Sequence, residues 1–135
     1  MEEKLVVSHM KFNAGECIRV NGTVMPEAKS FALNIGRNSS DLILHFNPRF
    51  DSHGDTRTIV LNSMACGDWG EEFRPSFFPF QQGQETTVSI SFDKKEVKVK
   101  LPGGQELSFP NRRGLEAAGF FSVYGDFWIK SIEFD

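Results

Sequence analysis

The chain is poor in cysteine, with Cys17 and Cys66 alone in 135 residues, and it holds one Tyr and two Trp. Two thiols without CxxC spacing give neither a disulfide framework nor a zinc site. No run approaches the ~18 consecutive apolar residues of a membrane-spanning helix, so no membrane insertion is expected. Positive charge is not in excess. Fifteen Lys plus Arg stand against eighteen Asp plus Glu, for a net charge of −3. That balance argues against a nucleic-acid partner, because neutralising phosphates requires a basic face. Helical periodicity is missing too: no segment keeps apolar residues at i, i+3, i+4 and i+7 over three turns, and Gly114–Ala118 amounts to one helical turn at most. The start, Met1-Glu2-Glu3-Lys4-Leu5-Val6-Val7, has neither the basic residues nor the apolar stretch of a secretory signal. The expectation is a cytoplasmic protein with two free thiols, in which the sequons Asn21-Gly22-Thr23 and Asn38-Ser39-Ser40 are turns.

What the chain has in abundance is Phe, at fourteen residues. Aromatics of this kind fill cores and favour strands. Period 2 runs throughout: Phe31, Leu33 and Ile35; Val88, Ile90 and Phe92; Val97, Val99 and Leu101; Leu107 and Phe109. Further runs lie at Cys17–Val20, Leu42–Asn47, Thr58–Asn62, Gly119–Val123 and Phe127–Phe134. Asp93-Lys94-Lys95 reads as a hairpin connection and Pro102-Gly103-Gly104 as a turn. Short strands separated by Gly, Pro, Asn or Asp indicate one all-β domain over residues 1–135, an antiparallel sandwich or barrel.

The chemistry concentrates between residues 45 and 74. Residues two apart in a strand share a face, so Leu42, Leu44 and Phe46 should point one way and His45, Asn47 and Arg49 the other. Pro48 cannot donate to a ladder, which predicts a strand end or edge near it. Ile59 and Leu61 should face inward, with Thr58, Val60 and Asn62 outward; Glu72 and Arg74 can share a face beyond Trp69. Six polar side chains from three segments then converge beside one indole. Such a set suits a sugar: forked groups match vicinal hydroxyls with paired hydrogen bonds, and an aromatic ring covers the C–H face. A shallow site of this kind should bind at roughly micromolar to millimolar strength. His45, His53 and Asp55 lack the third soft ligand of a metal centre. Glu71 and Glu72 are adjacent and face opposite ways, unlike a glycosidase pair, and no GxSxG elbow is present. Cys66 has no basic residue flanking it in sequence to activate it.

His45-Phe46-Asn47-Pro48-Arg49-Phe50, His53-Gly54-Asp55, Ile59-Val60-Leu61-Asn62 and Trp69-Gly70-Glu71-Glu72-Phe73-Arg74 together resemble the galectins, the β-galactoside-binding S-type lectins. Phe78-Pro79-Phe80, Gly83, Phe92–Val99 and Pro110-Asn111-Arg112 are similar to that family as well. The resemblance implies a jelly-roll sandwich with the sugar on its concave face, no catalysis and no cofactor or metal. It implies that His45, Asn47 and Arg49 hold the axial 4-hydroxyl of galactose, that Trp69 stacks on the ring, and that Asn62 and Glu72 take the 6-hydroxyl. Arg49, Glu72 and Arg74 would reach a neighbouring glucose or N-acetylglucosamine. His53 would border the site, and Asp55 would orient the arginines. Phe73 is bulkier than expected beside the rim. A single short domain resembles the prototype class, implying a homodimer through terminal strands with Val6, Ile132 and Phe134 in the seam. Parity puts Trp128 on the same face as Ile132 and Phe134. The family's habits also imply an extracellular pool exported without a signal peptide. Two other readings compete: an intracellular interaction scaffold of the same fold, which lactose would not elute from a galactose matrix, and a sandwich-fold glycoside hydrolase, which would turn over a chromogenic galactoside.

Overall fold

A computed structural model describes residues 1–135. The alternating pattern resolves into β1 (Glu3–Val7), β2 (Phe12–Asn13), β3 (Cys17–Val24), β4 (Phe31–Asn38), β5 (Asp41–Ser52), β6 (Asp55–Ala65), β7 (Asp68–Trp69), β8 (Glu85–Phe92), β9 (Glu96–Lys100), β10 (Glu106–Pro110), β11 (Ala117–Ala118), β12 (Phe120–Gly125) and β13 (Phe127–Phe134). Six strands form one sheet in the order β1-β12-β4-β5-β6-β7, and five form the other as β10-β9-β8-β3-β13. Every pairing is antiparallel, as a jelly-roll sandwich requires. No helix forms; Gly114–Ala118 holds no helical turn and ends in β11, which pairs with β2.

The core lies between the sheets. Leu33 and Ile35, Leu44 and Phe46, and Ile59 and Leu61 face Ile18, Val20, Val88 and Ile90 with essentially no exposure. Phenylalanines tie the layers together: Phe31 stacks on Phe127 at 4.9 Å and meets Phe80 edge-on at 5.4 Å. Burial of an aromatic or aliphatic side chain of this size stabilises by roughly 1.5–3 kcal/mol before chain entropy is counted.

Four expectations from alternation alone are corrected by the packed chain. Ile35 faces Leu44 across the ladder while Gly36 faces Leu42, so β5 carries one extra residue there. This bulge turns both Ile43 and Leu44 into the core and moves Leu42 to the His45 side. Gly36 permits it, because a Cβ there would lie 2.6 Å from the Leu42 Cα. Secondly, β5 does not end at Pro48 and is not an edge; it continues to Ser52 between β4 and β6. The Phe50 amide donates to the Lys29 carbonyl, so the nitrogen of residue 48 looks toward the same neighbour, at the Phe31 carbonyl. The Asn47 side-chain amide donates to that carbonyl at 2.8 Å and replaces the missing N–H.

Thirdly, Trp128 does not share a face with Ile132 and Phe134. A bulge between Ile129 and Ser131 reverses the parity of β13, leaving Trp128 outward and bringing Ile132 against the core. Lastly, Asn21-Gly22-Thr23 is mid-strand in β3 rather than a turn, whereas Ser39 and Ser40 do form the β4–β5 turn. Gly22 is required there by the Phe127 ring: an added Cβ would sit 2.5 Å from its Cζ. Gly22→Ala should therefore destabilise the fold by about 1–3 kcal/mol through overpacking. Denaturant unfolding would show it, and a midpoint equal to that of the parent would contradict the packing argument.

Candidate functional site

The solvent face of the six-stranded sheet carries a hollow of about 520 Å³ over β5 and β6. His45, Asn47 and Arg49 rise into it from alternate positions of β5, with Val60 and Asn62 from β6 beside them. Trp69, Gly70 and Glu72 close one side, and His53 stands at the β5–β6 connection. Of the nine residues predicted for the site and its support, Arg74 and Asp55 do not line the hollow. They stand behind it and brace those that do.

That bracing is a continuous chain of charge-assisted hydrogen bonds. The Glu72 carboxylate accepts from Arg74 Nε at 3.1 Å and NH2 at 2.8 Å. Arg74 NH1 donates to Asp55 Oδ1 at 2.7 Å, and Asp55 Oδ2 accepts from Arg49 NH1, also at 2.7 Å. Arg49 Nε then donates to Asn47 Oδ1 at 2.9 Å. The two arginine hydrogen bonds hold the Asp55 carboxyl below its ordinary range, with Arg74 the larger influence, and Asp55 and Glu72 push the Arg74 guanidinium further up. Asp55 thus stays ionised and fixes both guanidinium planes. Spare capacity points outward: one N–H of Asn47, the NH2 of Arg49 and the second oxygen of Glu72 remain for a ligand.

His45 is set by Asn34 of β4, which the sequence analysis did not single out. The Asn34 amide donates to Ser122 Oγ at 3.1 Å, which turns its carbonyl oxygen toward His45 Nδ1 at 2.6 Å. Nδ1 therefore carries the proton, and Nε2 is left as a bare acceptor facing the hollow. Burial, helped by the nearby Arg49 charge, lowers the imidazole pKa from 6.5 to about 4. In the unfolded chain the ring takes a proton near 6.5, so stability owed to the neutral ring is complete above that pH and is lost as pH falls toward 4. Unfolding free energy should drop by roughly 1–3 kcal/mol over that interval on this account. His45→Gln should flatten that part of the pH profile; an unchanged slope would contradict it.

Trp69 lies on β7, paired with Met64 at the edge of the sheet, and is 51% exposed. Its ring meets that of His45 at 4.6 Å between centroids, tilted by 51°. The following loop is tied back to β6: Gly70 N donates to the Ser63 carbonyl at 2.9 Å, and Phe73 exchanges two backbone bonds with Leu61. Phe73 is 39% exposed at this rim. Asn62 donates to the Gly70 carbonyl at 3.0 Å, so it positions the indole loop as well as lining the hollow. Arg112, not foreseen as a site residue although Pro110-Asn111-Arg112 stood out, lies on the Phe109 ring at 4.7 Å and donates to Ser63 Oγ at 3.2 Å. Gly70 makes room for it, since a Cβ there would be 3.0 Å from Arg112 NH1. Only its position in space, far from residue 62 in sequence, reveals that role.

No group of three or more His, Cys, Asp and Glu side chains is arranged to hold a metal ion. The edges of the two sheets lie together at the other side of the molecule, where β1 and β13 touch. Val6 and Phe134 are exposed there at 38% and 53%, while Ile132 is half-buried against the core.

Over nearly its whole length the chain is similar to known lectins. The family model described as galactoside-binding lectin matches residues 4–134. The 16 kDa beta-galactoside-binding lectin of Gallus gallus is 52% identical over 99% of both chains, and galectin-1 of Sus scrofa is 53% identical over 97% of both. Among solved structures, CG-16, a homodimeric agglutinin from chicken liver, superposes with a TM-score of 0.95 at 51% identity, covering 97% of this chain and 98% of that one. A toad ovary galectin in complex with N-acetylgalactose gives 0.93 at 37% identity, covering 98% of each.

Proposed function

The chain belongs to the galactoside-binding lectins, the galectins, and from that premise we propose how its hollow holds a β-galactoside. The protein is a lectin and not an enzyme: it binds β-galactosides of the lactose and N-acetyllactosamine type and, as a homodimer, cross-links the glycoconjugates that bear them. One observation carries the site assignment. Three side chains spaced by two on β5 line one hollow beside an exposed indole: His45, whose Nδ1 is held by Asn34, and Asn47 and Arg49, which bond each other.

A hydroxyl among these groups donates to His45 Nε2 and accepts from Asn47 or Arg49. The axial 4-hydroxyl of galactose fills the position when the C–H face of the ring lies on Trp69; the equatorial hydroxyl of glucose leaves it empty. Asn62 and Glu72 take the 6-hydroxyl. Arg49 and Glu72, steadied by Arg74 and Asp55, meet the next sugar, and His53 borders it.

Calorimetric titration with lactose, with cellobiose as the glucose-ended control, tests the reading. Lactose should bind at micromolar to millimolar strength and cellobiose far more weakly. No heat with lactose would overturn it, as would equal binding of the two.

The homodimer joins the β1 and β13 edges of two copies, which extends both sheets and covers Val6 and Phe134; Ile132 contributes less, being turned inward. Two sites per particle then give agglutination a strength that one shallow site lacks. We place the protein in the cytoplasm and, after export without a signal peptide, outside the cell. Free thiols at exposed Cys66 and half-buried Cys17 suit the first compartment.

A further inference from the structure

Arg112 reaches the back of Asn62 from the loop that follows β10, so it crosses from the five-stranded sheet to the six-stranded one. The loop is firmly seated. Asn111, buried there, donates to the Asp93 and Leu115 carbonyls and accepts from the Gly114 amide. The Arg112 guanidinium rests on the Phe109 ring and enters none of the molecule's ion pairs. Its two polar contacts are both on β6: NH1 donates to Ser63 Oγ at 3.2 Å and to Asn62 Oδ1 at 3.4 Å.

The Asn62 amide is thereby saturated on one side. Its Oδ1 also accepts from the Ser63 amide at 2.8 Å, which occupies the second lone pair. One side-chain N–H goes to the Gly70 carbonyl at 3.0 Å. A single N–H remains, on a residue that lines the galactose hollow. Turning the amide over would set its NH2 against two donors, the Ser63 N–H and the guanidinium, at a residue that is 4% exposed.

We propose that Arg112 is a positioning residue for the sugar: by holding Asn62 Oδ1 away from the hollow it leaves only a donor there, and the site then demands an acceptor oxygen on C6 of galactose. The proposal rests on the reading above in which Asn62 and Glu72 take the 6-hydroxyl. Asn62 donates to that oxygen, and the Glu72 carboxylate accepts its hydrogen. A 6-deoxy sugar puts a methyl group in the same place and leaves the N–H and the carboxylate without partners. Arg112 acts through Asn62 and not on the ligand.

Calorimetry with lactose, and with lactose lacking the oxygen on C6 of its galactose, tests this in the parent and three variants. The parent should bind lactose at least about 10-fold more tightly than the deoxy sugar. Arg112→Met should bind lactose about 3- to 10-fold more weakly and the deoxy sugar within about twofold of the parent, so that the ratio narrows. Arg112→Lys keeps a cation without the planar fork, and its ratio should fall between those two. If Arg112→Met does not fold, Arg112→Lys alone carries the comparison. Arg113→Met removes the same charge one residue on, but Arg113 bonds Asp41 at 2.7 Å, and the ratio should stay where it is. A ratio equal to the parent's in the folded Arg112 variants overturns the proposal, even if both affinities fall, because a merely structural role gives that result. Equal narrowing in Arg113→Met overturns it too. A parent that does not distinguish the two sugars would instead overturn the assignment of the 6-hydroxyl to Asn62 and Glu72.

Discussion

Trp69→Ala is expected to lower lactose affinity by about 10- to 100-fold while the melting temperature stays within a few degrees of the parent. The indole is half exposed at the sheet edge and contributes little to the core, so its removal opens no buried cavity. In the binding mode proposed above it is the broad apolar surface that meets the galactose C–H face. Covering an aromatic side chain of this size is worth roughly 1.5–3 kcal/mol, which corresponds to that range of affinity. Titration calorimetry and a thermal melt read the two halves separately. Retained affinity would break the stacking argument, and a collapsed melt would show that the residue serves the fold.

Arg49→Ala should have the larger effect, a loss of about 100-fold or more together with most of the preference for galactose over glucose. Charge-assisted hydrogen bonds are worth roughly 1.5–3 kcal/mol each, and in the proposed binding mode Arg49 offers its unpartnered NH2 to the sugars. Its loss also frees Asn47 Oδ1 and leaves Asp55 with Arg74 alone, so two neighbours lose their orientation. The strand should survive, because the Asn47 bond to the Phe31 carbonyl does not depend on the arginine. Arg49→Lys should rescue little, since an ammonium cannot make the Asn47 and Asp55 bonds from one plane. Lactose and cellobiose titrated in parallel decide the matter: undiminished selectivity in either variant would contradict the role given to the β5 trio.

Alternation over Val88–Phe92, Val97–Leu101 and Phe31–Ile35 marked strands that the fold contains, and the hairpin at Asp93–Lys95 lies where turn chemistry put it. The His45, Asn47 and Arg49 trio was legible for the same reason, because no bulge interrupts β5 between residues 45 and 49. Where alternation misled, one inserted residue had reset the parity, at Ile43 in β5 and at Lys130 in β13. Pro48 misled differently: the rule that a proline ends a strand assumes the orphaned carbonyl stays unpaired, and Asn47 pairs it.

Order of residues alone settled the all-β class, the solvent face shared by His45, Asn47 and Arg49 and, through motif spacing, the family. These depend on period and local turn chemistry, which a chain carries with it before it packs. Folding decided what no local rule contains: the Asn34–Ser122 link that leaves His45 Nε2 open, the reach of Arg112 to Ser63, and the standing of Arg74 behind the hollow. Each joins side chains distant in sequence, and their meeting is fixed by ladder register and sheet-on-sheet packing rather than by the identity of either partner.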